Sequence, residues 1–263
     1  MMTKTEILDK CSRNGEERTL LGRILDKREL SEKRSCVSSS PFLSPEEQAL
    51  CSAMLHLCGS TPLFYGGYEY AERQVCLFLP EWMEEIPDDE DNPLSAVRAE
   101  FPKSAQLSHR DFLGSIMGLG ITREKIGDIL PGEGWCDVLV LREAAPILLS
   151  QWESAGRQSL RVSEISLKDL RFTPPQVKVI HDTVASLRLD SALSSAFSIS
   201  RSKAAELIAS GKASLNHREC LKADKAIVEG DILSCRGYGK AVIKEAGSVS
   251  KKGRIILTIE RYI

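Results

Sequence analysis

The sequence predicts an α+β protein built from three small domains. Three observations carry that expectation. The 263 residues exceed one ordinary domain of roughly 100–200 residues. The apolar residues switch repeatedly between helical and strand spacing along the chain. Charge is also divided unevenly, although the whole chain is only −2. Residues 1–100 carry 11 Lys and Arg against 19 Asp and Glu, residues 101–180 carry 10 against 9, and residues 181–263 carry 14 against 9. Polar and proline-rich connectors place the boundaries at 1–93, 94–175 and 176–263. With 42% hydrophobic and 27% charged residues, each part has enough apolar surface for a core. No run approaches the roughly 18 apolar residues of a membrane span, and MMTKTEILDK has neither a secretory apolar segment nor transit-peptide character. A cytoplasmic protein with no membrane partner is expected.

In the first domain, Ile7, Leu8, Leu20, Leu21, Ile24 and Leu25 have helical spacing within Thr3–Leu30. The serine-rich Ser31–Ser40 reads as a loop. Ser44, Pro45 and Glu47 form an N-cap, first-turn proline and capping-box partner for a helix reaching Gly59. Short strands follow near Leu63–Tyr65 and Val75–Leu79 around Gly66-Gly67, and the acidic Glu84–Asp91 closes the domain as an exposed linker. In the second domain, a strand from Leu94, a helix over Ser108–Met117, strands at Lys125–Ile129 and Trp135–Leu141, a helix over Ala144–Ala155 and a strand over Ser159–Ile165 give the order β-α-β-β-α-β. That order is the ferredoxin-like, RRM-like arrangement, which serves many unrelated functions. Phe172-Thr-Pro-Pro175 is a stiff connector. The third domain reads as a helix near Val184–Phe197, a second helix capped by Ser200, and a small sheet with turns at Asn216-His217, Gly230-Asp231, Gly237-Tyr238-Gly239 and Lys251-Lys252-Gly253.

Eight cysteines without a secretory signal, and without any C-x-x-C pair, read as free thiols rather than disulfides or a zinc ribbon. Cys51, His56 and Cys58 lie on an apolar helical stretch and are expected to pack rather than bind metal. His109-Arg110-Asp111 is similar to a kinase catalytic loop, but Ile116 stands where that loop needs Asn and no Asp-Phe-Gly follows. His109 and Asp111 are expected to serve the start of a helix. Gly114, Gly118, Gly120 and Gly127 do not form G-x-G-x-x-G. No cofactor and no metal is expected. The second domain also lacks the paired aromatic signature with which an RRM stacks bases.

The chemistry concentrates in residues 187–233. Ser200 opens a helix whose first turn contains Arg201 and Lys203. Backbone N–H groups, the positive end of the helix dipole and a guanidinium together suit a phosphate. Cations in a first turn are mildly adverse without an anion, so Arg201 and Lys203 are expected to serve a ligand rather than the fold. Arg188 opens the preceding helix and Lys212 follows Gly211, so the four cations are expected to border one face. Arg188 has a rival structural reading, an ion pair with Asp190 or Glu206.

Arg188-Leu189-Asp190, Ser200-Arg201-Ser202-Lys203-Ala204, Ile208…Gly211-Lys212, Asn216 and Gly230-Asp231 make this stretch resemble the S4-type RNA-binding domain. Two departures stand out: Lys-Ala-Ser-Leu-Asn-His replaces the family's alternating Lys/Val strand and Asn-Gly turn, with His217 or Arg218 in a position to substitute for a lost lysine. Residues 109–129, Phe64–Arg73 and Arg236-Gly-Tyr-Gly-Lys240 extend the likeness to the YlmH-type S4-domain proteins of bacteria and plastids. That resemblance implies a C-terminal S4-type domain of two helices and a small sheet, and a non-enzymatic protein of the translation apparatus. Its expected partners are structured rRNA on the large ribosomal subunit with peptidyl-tRNA adjacent, in rescue of stalled subunits; no DNA is expected. The expected RNA contacts are Arg188, Ser200, Arg201, Lys203, Lys212, Asn216, Arg218, Arg236 and Lys240. Two other classes compete: an RNA-modifying enzyme, because S4-type domains also steer such enzymes, and an interaction scaffold linked to cell division.

Overall fold

The structure is a computed structural model that describes residues 2–88, 90–249 and 253–263. The chain forms two compact units, Met1–Thr173 and Pro174–Ile263. Among the described residues no helix is long and apolar enough to cross a membrane.

The first unit begins with α1 (Lys4–Cys11) and α2 (Gly15–Arg34), each started by a side-chain cap, from Thr3 and Asn14. The expected loop after Leu30 is instead the last turn of α2 followed by β1 (Ser38–Leu43). The serines here act as hydrogen-bonding groups: Ser31 Oγ donates to the carbonyls of Cys36 and Phe78, and Ser38 Oγ to that of Lys27. Such contacts, up to 47 residues apart, leave no local sequence signal. Helix α3 (Pro45–Leu57) has the expected capping box, with the Ser44 N–H donating to Glu47 and the Glu47 N–H to Ser44 Oγ. β2 (Leu63–Tyr65) and β3 (Gln74–Phe78) complete a three-stranded sheet in the order β1-β3-β2. Cys51 is fully buried beside Leu21, Ile24, Met54 and Leu55, whereas His56 meets Ser52 and Cys58 ends the helix. None of the eight cysteines is in a disulfide. In the acidic run, Asp88 pairs with Lys168 at 2.6 Å, and Asp89 lies outside the described residues.

The same unit continues through β4 (Leu94–Glu100), α4 (His109–Gly118), β5 (Ile126–Gly132), β6 (Trp135–Leu141), α5 (Ala145–Gln151), the hairpin β7 (Ser154–Ala155) and β8 (Gln158–Ser159), and β9 (Arg161–Ile165). Ser108 and Asp111 cap α4 reciprocally, which absorbs the Asp111 carboxylate. The sheet order is β5-β6-β4-β9 with every neighbouring pair antiparallel. One face, from Val97, Ala99, Cys136, Val138 and Val140, packs on Phe112, Ile116 and Leu148 of the helices. The other face presents Leu94, Ala96 and Leu139 to Phe42, Val75 and Leu170. A buried cluster therefore joins the three-stranded sheet to the four-stranded one. The Phe64–Arg73 stretch is tied to β5 by Asp128, which accepts hydrogen bonds from the Tyr68 hydroxyl at 2.9 Å and the N–H groups of Glu72 at 2.7 Å and Arg73 at 3.0 Å.

The second unit opens on a strand rather than the expected helix. β10 (Val177–Val184) pairs along its whole length with the last strand, β15 (Ile255–Tyr262). Its β-branched run Val177, Val179, Ile180, Thr183 and Val184 suits a strand, but the partner lies some eighty residues away. Then come α6 (Leu189–Phe197), α7 (Arg201–Ala209), β11 (Ala213–Leu215), β12 (Arg218–Glu219), β13 (Ile232–Cys235) and β14 (Gly239–Val249). The six-stranded order is β10-β15-β14-β13-β11-β12. Leu189, Leu193, Phe197, Ala204 and Ile208 of the two helices bury against Ala213, Leu233, Ile243, Leu257 and Ile259. Gly211 has φ +68°, and a Cβ there would lie 3.0 Å from Glu219, so this helix end requires glycine.

Candidate nucleic-acid interface

The two helices of the second unit start differently. At α6, Arg188 occupies the N-cap position without a side-chain cap, and the segment 222–226 supplies the missing acceptors. The N–H of Leu189 donates to the Lys225 carbonyl at 2.9 Å and that of Asp190 to the Ala223 carbonyl at 3.0 Å. At α7, Ser200 Oγ accepts the Lys203 N–H at 3.1 Å. Among the described residues nothing accepts the N–H groups of exposed Arg201 and Ser202, which leaves that helix start open to an anion.

Asp190 links the two starts. Its side chain is 7% exposed and accepts from Arg201 Nε at 2.9 Å and Nη2 at 3.3 Å, and from Arg188 Nε at 3.3 Å and Nη2 at 3.4 Å. Burial acts to raise its pKa, but the hydrogen bonds from Arg201 and Arg188, with their charges, outweigh it and hold the carboxyl below its ordinary value. The Arg188–Asp190 pairing anticipated as a rival is present. Arg201 corrects the expectation that it serves only a ligand, because it fastens α7 to a buried carboxylate eleven residues earlier. Both arginines are still 38% and 52% exposed, and each keeps its Nη1 edge outside the clamp.

The other expected contacts separate into two groups. Lys203 pairs with Glu206 one turn on at 2.8 Å. Lys212 is exposed just before β11, and its carbonyl accepts the Arg236 N–H at 2.8 Å, which puts these two cations side by side at one end of β11 and β13. Lys240 lies across from Ser234 on β14, with its ammonium 5.0 Å from the Tyr262 ring. Asn216 lies at the opposite end of β11. It has φ +50°, its amide donates to Asp231 at 2.7 Å, and its side-chain oxygen accepts the Ile232 N–H at 2.9 Å. Asn216 thus fixes the Asn216-His217 turn to the Gly230-Asp231 turn. Arg218, half-buried on β12, shares that end. Lys251 and Lys252 lie outside the described residues.

Sequence reading missed Lys222 and Lys225. Both are exposed on the segment that caps α6, so the backbone bonds bring them to the Arg188–Asp190–Arg201 clamp. Their signal was two lysines three apart between Cys220 and Ile227, but only the fold shows that the segment lies along a helix start.

Fold and site together define a multidomain α+β protein whose last unit offers a cationic surface and an open helix start suited to a polyanion. A family described as "Putative RNA-binding domain in YlmH" matches residues 87–169. The chain is 30% identical over 247 residues to "Ribosome-associated protein quality control protein P2" of Bacillus subtilis (strain 168), covering 94% of this chain and 95% of the relative. It therefore belongs to the YlmH family of RNA-binding proteins. Its fold is also similar to that of "Cell division protein ylmH from Streptococcus pneumoniae", with a TM-score of 0.51 and 18% identity over 62% of this chain and 98% of that one.

Proposed function

We propose that this protein is a non-enzymatic, cytoplasmic RNA-binding factor that associates with the large ribosomal subunit, next to peptidyl-tRNA, in quality control of stalled translation. The observation that carries the reading is the cationic border of the second unit: Arg188 and Arg201 with outward edges, Lys203, Lys212 and Arg236, and the open N–H groups of α7. An A-form duplex offers phosphates and shape more than readable base edges, which suits a fixed array of cations. The name of the Bacillus subtilis relative supports the ribosomal setting. The chain then comprises three modules, an N-terminal α/β part (1–93), an RRM-like part (94–175) and an S4-type RNA-binding part (176–263).

The test is co-sedimentation of the full chain with purified large and small subunits, with and without peptidyl-tRNA on the large one. Retention by the large subunit, strongest with peptidyl-tRNA, is expected. Equal retention by both subunits, or by neither, contradicts the reading. RNA recovered from the complex should also be unmodified with or without S-adenosylmethionine.

A further inference from the structure

The four-stranded sheet of the first unit keeps one corner of its non-helical face outside the buried cluster. Register puts Arg98 between Asp137 and Ser163, and Glu100 between Trp135 and Arg161. Asp137 is fully buried; it accepts Arg98 Nε and Nη2 at 2.6 Å each and the Arg171 N–H at 2.9 Å. Trp135 is half-buried beside it, with the Arg98 and Arg171 guanidiniums 6.0 Å and 5.4 Å from its ring centre. Arg171 is exposed, and among the described residues its guanidinium meets no carboxylate. The next residue, Phe172, is 38% exposed and lies 5.1 Å from the Tyr68 ring and 5.8 Å from that of Tyr70, itself 40% exposed.

The guanidiniums of Arg161 and Arg171 thus stand near these exposed rings, while the carboxylates around them are engaged: Asp137 by Arg98 and the Arg171 N–H, and Asp128 by Tyr68, Glu72 and Arg73, while Glu100 lies opposite Arg161 in the sheet register. Guanidinium planes and aromatic rings both stack on nucleobases, and unpaired bases are the part of RNA that side chains can reach in this way. We propose that Trp135, Arg171, Phe172 and Tyr70 form a stacking site for unpaired nucleotides, separate from the cationic border of the second unit. The proposal deepens the RNA-binding reading and rests on it. It places a single-strand contact at a corner of a sheet whose non-helical face is elsewhere packed against Phe42, Val75 and Leu170.

The experiment titrates the full chain with a ten-nucleotide oligouridylate and, separately, with an RNA hairpin, following tryptophan fluorescence and anisotropy. Arg171→Ala and the double variant Tyr70→Ala/Phe172→Ala should each weaken oligouridylate binding at least tenfold and leave hairpin affinity within twofold, with unchanged thermal unfolding. Lys212→Ala/Arg236→Ala should do the reverse. Wild-type oligouridylate affinity in both stacking variants, or no oligouridylate binding by a wild-type chain that binds the hairpin, overturns the stacking site; the second outcome assigns these rings to a protein contact. Failure of the wild-type chain to bind the hairpin counts against the parent reading, and the oligouridylate arm still decides this one.

Discussion

Each unit contains a buried aspartate gripped by arginine, and the two differ in where the arginine ends. In the first unit Asp137 is 0% exposed and Arg98 11%, with both bonds at 2.6 Å, so the guanidinium is consumed by the fold. In the second, Asp190 is 7% exposed, but its arginines are 38% and 52% exposed and share it through longer, paired contacts. A buried carboxylate can thus either close a core or brace cations at the surface. In the second case the same side chain has a structural edge and a free one. Bracing also fixes the guanidiniums in place, so less side-chain entropy is lost when a phosphate arrives.

The comparison breaks most visibly if the arginines are removed one at a time. Arg98→Ala leaves the Asp137 charge buried with only the Arg171 N–H, and should cost about 3–5 kcal/mol; denaturant unfolding of the full chain should show it in the transition of the first unit. Arg201→Ala should cost only about 1 kcal/mol, because Arg188 remains on Asp190 and solvent reaches the half-exposed site. It should nevertheless weaken hairpin binding at least tenfold. An unchanged or raised melting temperature in that variant would show that the clamp serves RNA alone.

Acid sharpens the difference further. Asp190 is held below its ordinary pKa, so its contribution is fully present above the unfolded value of about 3.9 and is lost as pH falls through the lower folded value. The stability difference between wild type and Asp190→Asn should therefore be constant from neutral pH down to about 4 and shrink below it. A difference that instead grew on acidification would contradict the pairing.

Much of this was legible from local chemistry. The Ser44 cap, the role of Asp111 at the start of α4 and the Ser200 start of α7 rest on neighbours within a few residues, where sequence carries the signal; the helix expected to reach Ala155 instead ends at Gln151, and the β7–β8 hairpin follows before β9. What was missed rests on distant partners. β10 needed β15, the end of α2 and β1 needed Ser31 to reach Phe78, and Arg201 needed Asp190. Helix charge patterns showed that Arg201 is adverse in a first turn without an anion; they could not show that the anion is already in the chain. Nor could the sequence show that the Asn216 amide reaches Asp231 across the sheet.

The smallest effect on stability should come with a large effect on binding, and this tests the central claim most directly. Lys212 and Arg236 lie side by side at the border of the second unit, and the bond that joins them is between backbone atoms. Lys212→Ala/Arg236→Ala should therefore unfold within about 0.5 kcal/mol of wild type. The measurement is hairpin affinity of the full chain across a series of salt concentrations. Each lost phosphate contact removes about one released counterion, so the slope of log K against log salt should become shallower by about two while affinity falls. A double variant with wild-type slope and affinity would contradict the account and move the RNA surface away from this border.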